Sequence, residues 1–473
     1  MIHIIKFLFS MTEGIVTMVI EGGFDALNSI IKPEKDHAYT AEFGRPEDQL
    51  TTRGDGFKIG YKWGNSLIES NSHLFISGGS GSGKSSVVAF CTLLQSNECS
   101  YVVFDPNREQ VLKTSGYMHS VGYKVLQLDY DRYSQSIGFS AFHNCKNEMD
   151  VFRTAQVPIT NSSAGNSKDY WSLSAANIIG FFAYALWKHA PNYCNFPNIL
   201  RALEIFSFDP QRIDRWVAFL GDMDLANRYK SIAATPDKTL QSSVATALSA
   251  LEIYHSPNVA SITSRNTVSF EQFRKGKTIL YICGSPATSA YCRSVSAGFF
   301  DAFFAHILED MPSAGSLPIR FILDECASMR IDALPLMLEQ SRKFNISLAT
   351  FWQDYNQCEH IYGHNQAANI FANHRVKVFM PSGQPLSTCK MLQELLGKYQ
   401  YESEKGTKTR ELLTAQEIFQ LKDILVLNGN NKPLLLKPLP YYLNRKLKAC
   451  TELPPYVDPA ITTPHIPEYL DFA

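Results

Sequence analysis

The segment from Gly78 to Ser86 combines glycines, hydroxyl side chains and one lysine in a spacing that suits phosphate binding. It matches G-x-x-x-x-G-K-[ST], in which glycines let backbone N–H groups turn toward phosphate oxygens, the lysine neutralises the β and γ oxygens, and the next hydroxyl ligates Mg²⁺. A Gly/Ser linker is the alternative, but the segment stands between a predicted strand and a predicted helix, as phosphate binding requires. The predicted nucleotide-binding residues are Gly78, Gly79, Ser80, Gly81, Ser82, Gly83, Lys84, Ser85 and Ser86, with Ser85 also a metal ligand.

Two carboxylates follow an apolar run about 240 residues later. Asp324 and Glu325 come directly after Ile319 to Leu323. In a phosphate-transferring site Asp324 would hold Mg²⁺ through water, and Glu325 would polarise the attacking water. A surface helix start is the alternative for such a pair, but the phosphate-binding pattern upstream favours the catalytic interpretation. The glutamate favours hydrolysis, because a binding module has no need of a group that positions water.

Two further residues are candidates because of their position beside a strand. Gln353 ends the predicted strand Ile346 to Trp352, and adjacent parallel strands end on the same ligand-binding side of a sheet, so Gln353 could sense the γ-phosphate. Arg342 ends the helix before that strand. It is either a solvated charge that favours the helix end or an arginine finger that enters a neighbouring subunit's site, where such a group changes the rate by about 10³ to 10⁵.

Short apolar segments must position these side chains, and they alternate with helical patterns. Continuous apolar runs are typical of strands covered on both faces of a parallel sheet. The predicted strands are His73 to Ser77, Tyr101 to Phe104, Lys124 to Leu128, Thr278 to Cys283, Ile319 to Leu323, Ile346 to Phe351 and Val376 to Met380. The helical patterns between them include Ser85 to Gln95, Ala290 to Leu308 and Leu334 to Lys343. Together they predict an α/β fold with a mostly parallel central sheet.

The strand signal stops between Leu128 and Thr278, which predicts an inserted all-α domain. Its predicted helices are Trp171 to Lys188, Pro197 to Ile205, Pro210 to Leu220 and Leu240 to Tyr254, and 161–168 is predicted to be a loop. The polar segment from Tyr399 to Arg410 is predicted to be an exposed loop before a small closing element at about 424–440. The predicted domains are an N-terminal segment 1–50, a nucleotide-binding domain 51–140 with 270–445, the inserted domain 141–269 and a tail 446–473.

Composition excludes several classes of protein. The 473 residues include 44 Lys or Arg and 45 Asp or Glu, a net charge of −1, which excludes a globally basic nucleic-acid coat and leaves DNA contact to local patches. With 45% hydrophobic and 19% charged residues, the chain is neither disordered nor a coiled coil. The 10 cysteines show no C-x-x-C spacing and are predicted to be mostly reduced, buried thiols.

Two apolar stretches bear on membrane association. Met1 to Ile20 is interrupted by Lys6 and Glu13, so it is too broken for a spanning helix, although it could lie on a membrane surface. Ile178 to Trp187 fits a buried helix of a globular protein better than a membrane span.

The order of the motifs resembles one family, the coupling ATPases of type IV secretion and bacterial conjugation, which are TraG/TraD-like proteins with a RecA-like motor core. The likeness covers about residues 70–445. It rests on the phosphate-binding loop followed by Val103-Phe104-Asp105-Pro106 with Glu109, Thr114-Ser115-Gly116-Tyr117, 122–129, Tyr170-Trp171, Leu323-Asp324-Glu325-Cys326-Ala327-Ser328, Trp352-Gln353-Asp354, Ile361-Tyr362-Gly363, Leu395-Leu396-Gly397-Lys398, Leu412-Leu413-Thr414 and 437–442.

The resemblance implies a RecA-like P-loop ATPase that uses ATP and Mg²⁺. It assigns the nucleotide chemistry to Lys84, Ser85, Asp324, Glu325 and Gln353, and it places Arg342 at the family's trans-acting arginine position. It also implies a ring, expected to be a homohexamer, that threads DNA, expected to be single-stranded, or hands a relaxase or effector protein to the secretion channel subunits. The expected location is the cytoplasmic face of the bacterial inner membrane, reached through partners or the N-terminal segment, or else the cytoplasm.

The chain departs from the family pattern in two places. Asn107-Arg108 stand where the family usually has Lys-Gly, and the two N-terminal membrane-spanning helices usual in relatives are not seen in this sequence. Candidates for pore-facing contacts with a phosphate backbone are Lys343, Arg375, Lys377 and 445–448, each of which is also an ordinary surface charge.

Two alternative functions stay open. One is an FtsK-like DNA translocase, although the α insertion and Tyr441-Tyr442 favour coupling. The other is a recruitment platform that binds ATP without turning it over, against which the complete set of hydrolytic residues argues. An ABC transporter ATPase is disfavoured, because no L-S-G-G-Q-like signature stands between the phosphate-binding loop and Asp324.

Overall fold

The computed structural model describes residues 40–472, except 63–64, 70–71, 96–97, 163–168, 382, 405 and 462–464. The apolar N-terminal stretch from Met1 to Ile20, for which a position on a membrane surface is an expectation, therefore lies outside the described residues, as does most of the 161–168 segment.

A nine-stranded sheet forms the centre of the molecule, in the order β13-β12-β9-β3-β8-β7-β4-β6-β5. Neighbours from β9 to β5 are parallel, whereas β12 is antiparallel to both β9 and β13. The strands are β3 (Leu74–Ser77), β4 (Ser100–Asp105), β5 (Lys124–Asp129), β6 (Thr278–Cys283), β7 (Ile319–Leu323), β8 (Ile346–Trp352), β9 (Val376–Phe379), β12 (Ile424–Asn428) and β13 (Leu434–Leu436). This confirms the predicted α/β class with a mostly parallel sheet, and each of the seven predicted strands is present with its ends displaced by at most one residue.

Side chains alternate between two buried faces of this sheet, which explains why its strands are continuous apolar runs. On β4, for example, Val102 and Phe104 join one hydrophobic cluster, whereas Tyr101 and Val103 join the other. Every residue of β3, β4, β6, β7 and β8 is buried. Helices therefore cover both faces, as expected for parallel strands.

Two antiparallel hairpins lie outside the central sheet. One joins β1 (Phe57–Lys62) to β2 (Asn65–Glu69), and the other joins β10 (Lys398–Ser403) to β11 (Gly406–Glu411). The second corrects the prediction of a loop at 399–410. The residues of this hairpin are mostly exposed, so neither face of it needs apolar side chains, and the sequence shows no alternation of apolar and polar residues. The hairpin is recognised only from the pairing of its two strands.

The helices that flank the central sheet differ from the predicted helices in where they begin and end. The predicted helix 85–95 is a π-helical turn, Ser85–Ala89, followed by an α-helical turn, and the predicted helix 290–308 begins only at Arg293. The α-helices are α1 (Phe90–Leu93), α2 (Glu109–Ser120), α10 (Gln272–Lys275), α11 (Pro286–Tyr291), α12 (Arg293–Glu309), α13 (Leu334–Gln340), α14 (Tyr355–Tyr362), α15 (His364–Asn373), α16 (Leu386–Leu396), α17 (Ala415–Phe419) and α18 (Arg445–Cys450).

Between β5 and β6 the described residues form helices and short 3-10 turns but no strand. The α-helices are α3 (Glu148–Thr160), α4 (Tyr170–His189), α5 (Phe196–Phe208), α6 (Pro210–Phe219), α7 (Met223–Ala233), α8 (Asp237–Leu251) and α9 (Pro257–Thr263). One hydrophobic cluster contains residues of these helices together with residues of the sheet, such as Phe182 and Phe104. The domain boundaries at 141 and 269 therefore stay predictions.

Side-chain caps fix where these helices begin. Asn147, Asp169, Asn195, Asp209 and Asp222 each precede a helix and accept hydrogen bonds from backbone N–H groups of its first turn. Such a cap satisfies donors that have no partner within the helix.

The C-terminal segment runs back across both parts of the molecule. Tyr456 stacks on His119 of α2 with ring centroids 3.7 Å apart. Phe472 is fully buried against Trp216 of α6, with centroids 5.0 Å apart, and its carbonyl accepts a hydrogen bond from Arg212 Nε at 2.9 Å. The described residues of this C-terminal strap (441–461 and 465–472) thus contact both α2, which follows β4 of the central sheet, and the helical region.

None of the described helices combines the length and the apolar character needed to cross a membrane. All 10 cysteines are free, and eight of them are buried, which agrees with the prediction of mostly buried thiols.

Candidate functional site

The loop after β3 has the backbone shape that its glycines predict. Gly78 N donates to Trp352 O at 3.1 Å, which ties the start of the loop to the neighbouring strand. Gly81 and Gly83 have φ values of +76° and +90°, a region that glycine enters without strain. A Cβ atom on Gly78 would lie 2.5 Å from Ser82 Oγ, so a side chain at this position would displace the loop.

The helical segment begins directly at the end of this loop. Ser85 is its first residue, and the hydroxyl of Ser86 donates to Gly83 O at 3.1 Å. Val87 N donates to the same carbonyl at 2.9 Å. The first backbone N–H groups of the segment are thus brought to the loop, where an anion would be stabilised by the helix end.

Lys84 folds over the same loop. Its ammonium group donates to the carbonyl oxygen of Gly78 and, at 3.2 Å, to that of Gly79. Burial lowers the pKa of Lys84, while the nearby carboxylates of Glu325 and Asp324 act in the opposite direction. The three groups therefore share one electrostatic environment, as a site that balances phosphate charge requires.

Asp324 meets the phosphate-binding loop at the end of β7. Ser85 Oγ donates to Asp324 Oδ2 at 2.8 Å, and Asp324 N donates to Phe104 O of the adjacent strand at 3.2 Å. Burial raises the pKa of Asp324 to about 6, and the hydrogen bond from Ser85 and the charge of Lys84 oppose that rise. A serine hydroxyl and one carboxylate are oxygen donors of the kind that Mg²⁺ uses together with phosphates and water, so this pair fits the metal.

The described residues contain no group of three or more His, Cys, Asp or Glu that could hold a metal ion by themselves.

Glu325 and Gln353 lie together at the same edge of the sheet. Gln353 Nε2 donates to Glu325 Oε1 at 3.3 Å. Glu325 has a φ of +60°, which is uncommon for a residue with a side chain and occurs more often at functional sites. The expectation that residues following adjacent parallel strands converge is therefore met for this pair.

Arg342 lies at the opposite edge of the sheet. It is an exposed residue of the 3-10 turn Ser341–Phe344, whose first and last residues are buried. This turn precedes β8, whereas the phosphate-binding loop follows β3. Because β3 and β8 are parallel, with Ser77 opposite Trp352, the start of one is far from the end of the other. The structure thus does not bring Arg342 to the site of its own chain. Among the described residues it has no ion-pair partner.

The predicted pore-facing cations differ in their environment. Lys343 and Arg375 are exposed, and Arg375 lines the same cavity as Arg342. Lys377 is instead half-buried and donates to His374 O at 2.6 Å, so this ammonium group is engaged within the chain. Residues 445–448 form the start of α18.

Sequence reasoning missed three side chains around the site. Gln110 Nε2 donates to Asp324 Oδ2 at 2.9 Å. Asp105 Oδ2 accepts from Val111 N at 2.8 Å and holds the start of α2, and burial raises its pKa to about 7. Arg108, at the position where the family usually has glycine, has a φ of +59° and pairs with Asp129 at 2.5 Å. The spacing between Asp105 and Gln110 is only a weak signal of a site, because no feature of the sequence near these residues indicates that Gln110 contacts Asp324.

A family model matches the chain and agrees with the family that its motifs resemble. The model for conjugative DNA transfer in the type IV secretory system matches residues 30–462. No curated protein sequence matches the chain.

Solved structures of one protein share this fold. The plasmid coupling protein TrwB in complex with the non-hydrolysable GTP analogue GDPNP is 18% identical, with a TM-score of 0.68, over 89% of this chain and 98% of that chain. TrwB in complex with ADP and Mg²⁺ is 19% identical, with a TM-score of 0.62, over 78% of this chain and 84% of that chain. The bacterial conjugative coupling protein TrwBdeltaN70 in complex with sulphate is 19% identical, with a TM-score of 0.65, over 85% and 96% of the two chains.

Proposed function

Because the chain belongs to the conjugative DNA transfer family of the type IV secretory system, as its motifs predicted, we propose that it is an ATP-hydrolysing motor that couples a DNA or nucleoprotein substrate to a secretion channel. The observation that carries this proposal is the meeting of Ser85 and Asp324 at 2.8 Å, with Lys84 beside them. Solved TrwB complexes with ADP and Mg²⁺ and with nucleotide analogues support ATP and Mg²⁺ as the cofactors.

Each side chain has a distinct role in the proposed hydrolysis. The backbone of 78–83 and the Lys84 ammonium bind and neutralise the phosphates, and Ser85 with Asp324 would hold Mg²⁺. When bound, the metal neutralises charge that develops on the phosphate oxygens. Glu325 accepts the proton of the attacking water, and Gln353, whose amide donates to Glu325 at 3.3 Å, keeps that carboxylate oriented and could contact the γ-phosphate.

Arg342 supports a ring rather than a single subunit as the active form. Arg342 is an exposed arginine without an ion-pair partner among the described residues, and it lies away from its own chain's site, as the proposed action in trans requires. We therefore propose a homohexameric ring in which Arg342 acts in trans, with single-stranded DNA, relaxase or effector protein as substrate. Its proposed place is the cytoplasmic face of the bacterial inner membrane, where it would meet the channel subunits.

The family match favours conjugative transfer over an FtsK-like role in chromosome segregation. The remaining alternative, a platform that binds ATP without hydrolysing it, makes a different prediction for one substitution. In Glu325→Gln the proton acceptor is lost but the phosphate-binding loop is intact.

An ATPase assay combined with nucleotide titration separates the motor from the platform. The motor predicts that Glu325→Gln lowers turnover by about 10²- to 10⁴-fold, the usual contribution of a general base, while nucleotide affinity is kept. Glu339→Gln, a change at an exposed glutamate of α13, is the matched control and should leave turnover unchanged. Negligible ATPase activity of the wild-type protein, with or without single-stranded DNA, would favour the platform.

A further inference from the structure

Gln110 reaches the proposed metal site from a helix that the site's motifs do not include. It is the second residue of α2, only 1% of its surface is exposed, and its Nε2 atom donates to Asp324 Oδ2 at 2.9 Å across 214 positions of sequence. The side chain therefore contacts the carboxylate that is proposed to hold Mg²⁺.

Two donors meet on one oxygen of that carboxylate. Ser85 Oγ and Gln110 Nε2 both donate to Oδ2 of Asp324, at 2.8 and 2.9 Å. Among the described residues no group donates to Oδ1 of Asp324. The two hydrogen bonds thus fix the carboxylate group from two different elements, the helical segment that begins at Ser85 and helix α2. They leave Oδ1 available to a metal or to a water bound to that metal.

The backbone around Gln110 is itself held in place. Asp105 Oδ2 accepts a hydrogen bond from the N–H group of Val111, the residue after Gln110, at 2.8 Å. The carbonyl of Gln110 accepts from Thr114 Oγ1 at 2.7 Å, and that hydroxyl lies 2.6 Å from Tyr281 OH. A side chain with such support is oriented before any ligand binds.

The other end of the Gln110 amide has an unused acceptor. Its Oε1 atom is buried and has no hydrogen-bond partner among the described residues. Buried acceptors are usually satisfied by protein or by ordered water. Because Oε1 is closed to solvent, the Nε2 donor is the part of the amide that contacts the site.

From this geometry we propose that Gln110 is a positioning residue of the metal site: its amide N–H fixes the Asp324 carboxylate in the orientation in which that group would hold Mg²⁺. The proposal rests on the proposed function, since it assumes that a nucleotide binds with Mg²⁺ at this loop.

The test is a substitution that keeps volume and removes the amide. In Gln110→Met, binding of a fluorescent, non-hydrolysable ATP analogue is titrated with Mg²⁺ and again in EDTA. The Mg²⁺ concentration at half-saturation should rise about ten- to hundredfold, the range expected for a lost hydrogen bond to a charged group, and affinity in EDTA should stay unchanged. Leu112→Ala, at a residue of the same helix that is 40% exposed, keeps the amide and should leave the half-saturating Mg²⁺ concentration unchanged.

Two results would overturn the positioning role. One is an unchanged Mg²⁺ dependence in Gln110→Met, and the other is an equal rise in Leu112→Ala, which would assign the effect to packing of α2. If Gln110→Met does not fold, Gln110→Asn, whose amide is one methylene too short to reach Asp324, should show the same rise. Failure of the wild-type protein to bind the analogue under any condition would instead contradict the proposed function itself.

Discussion

The hydroxyl of Ser85 donates to the carboxylate of Asp324 at 2.8 Å, although 239 positions separate the two residues. This contact joins the phosphate-binding loop to the first residue of the acidic pair. The nucleotide chemistry proposed from two distant motifs therefore has a single place in the molecule.

Lys84→Ala should abolish nucleotide binding and, with it, substrate transfer. The change removes the ammonium group that lies on the loop carbonyls and would neutralise phosphate charge. Equilibrium nucleotide binding and a mating assay measure the two effects, and Lys390→Ala, at an exposed lysine of α16, serves as the control. Transfer at the wild-type level by Lys84→Ala would contradict the motor function.

Arg342→Ala should leave the affinity for ATP nearly unchanged while removing the part of the ATPase activity that rises with protein concentration. The reason is that Arg342 lies at the edge of the sheet away from its own loop, so only a neighbour can use it. Specific activity is measured over a range of protein concentrations, with Arg215→Ala, another exposed arginine, as control.

Mixing two inactive variants tests the same residue more sharply. Lys84→Ala subunits carry an intact Arg342, and Arg342→Ala subunits carry an intact nucleotide site, so mixed rings should regain part of the activity. No recovery on mixing, together with equal specific activity at all concentrations, would rule out action in trans.

His73→Asn should reduce the loss of stability on acidification. Leu348 N donates to His73 Nδ1 at 3.0 Å, so this nitrogen must be unprotonated, and burial lowers the pKa of His73 from 6.5 to about 4. Between these values the unfolded chain binds a proton that the folded chain does not. The free energy of unfolding therefore falls as the pH falls, by about 2 kcal/mol at pH 5 from this residue.

Asparagine can keep the acceptor for Leu348 N without titrating, so denaturant unfolding at pH 7 and pH 5 compares the two proteins directly. Asp105 and Asp301, whose pKa values burial raises to about 7, act in the opposite direction but do so in both proteins. An identical loss of stability in wild type and His73→Asn between these pH values would show that His73 is not held neutral by the fold.

Phe472→Ala should detach the end of the C-terminal strap. A fully buried phenylalanine is lost from the contact with Trp216, a change that costs about 3–5 kcal/mol in a closed core and less where the segment can separate. Limited proteolysis should cut residues 457–472 faster in this variant. Ile466→Ala, at a residue of the same segment that is 83% exposed, should be cut at the wild-type rate.

The parts of the fold that the sequence could predict are those with local patterns. The strands of the parallel sheet are continuous apolar runs because both faces are covered, and the phosphate-binding loop is recognisable from its glycines and Lys84. Gln353 could be placed near Glu325 from a topological rule, since both follow adjacent parallel strands.

The parts that could not be predicted depend on tertiary contacts. The β10–β11 hairpin has no buried face, so no alternation of polar and apolar residues marks it. Gln110 contacts Asp324 only because β4 and β7 are neighbours in the sheet, which no spacing along the chain reveals. The pairing of Arg108 with Asp129 likewise depends on the sheet order, in which β6 lies between β4 and β5.

The contact between Phe472 and Trp216 has a consequence for how the protein is made. Arg212, one turn before Trp216, is 260 positions ahead of the residue whose carbonyl it binds. At about 5–20 residues per second, a ribosome needs roughly 13–50 s to cover that distance. The indole of Trp216 stays without its final cover during that interval, so the nascent helices are exposed to chaperones, or to one another, until Phe472 emerges from the ribosome.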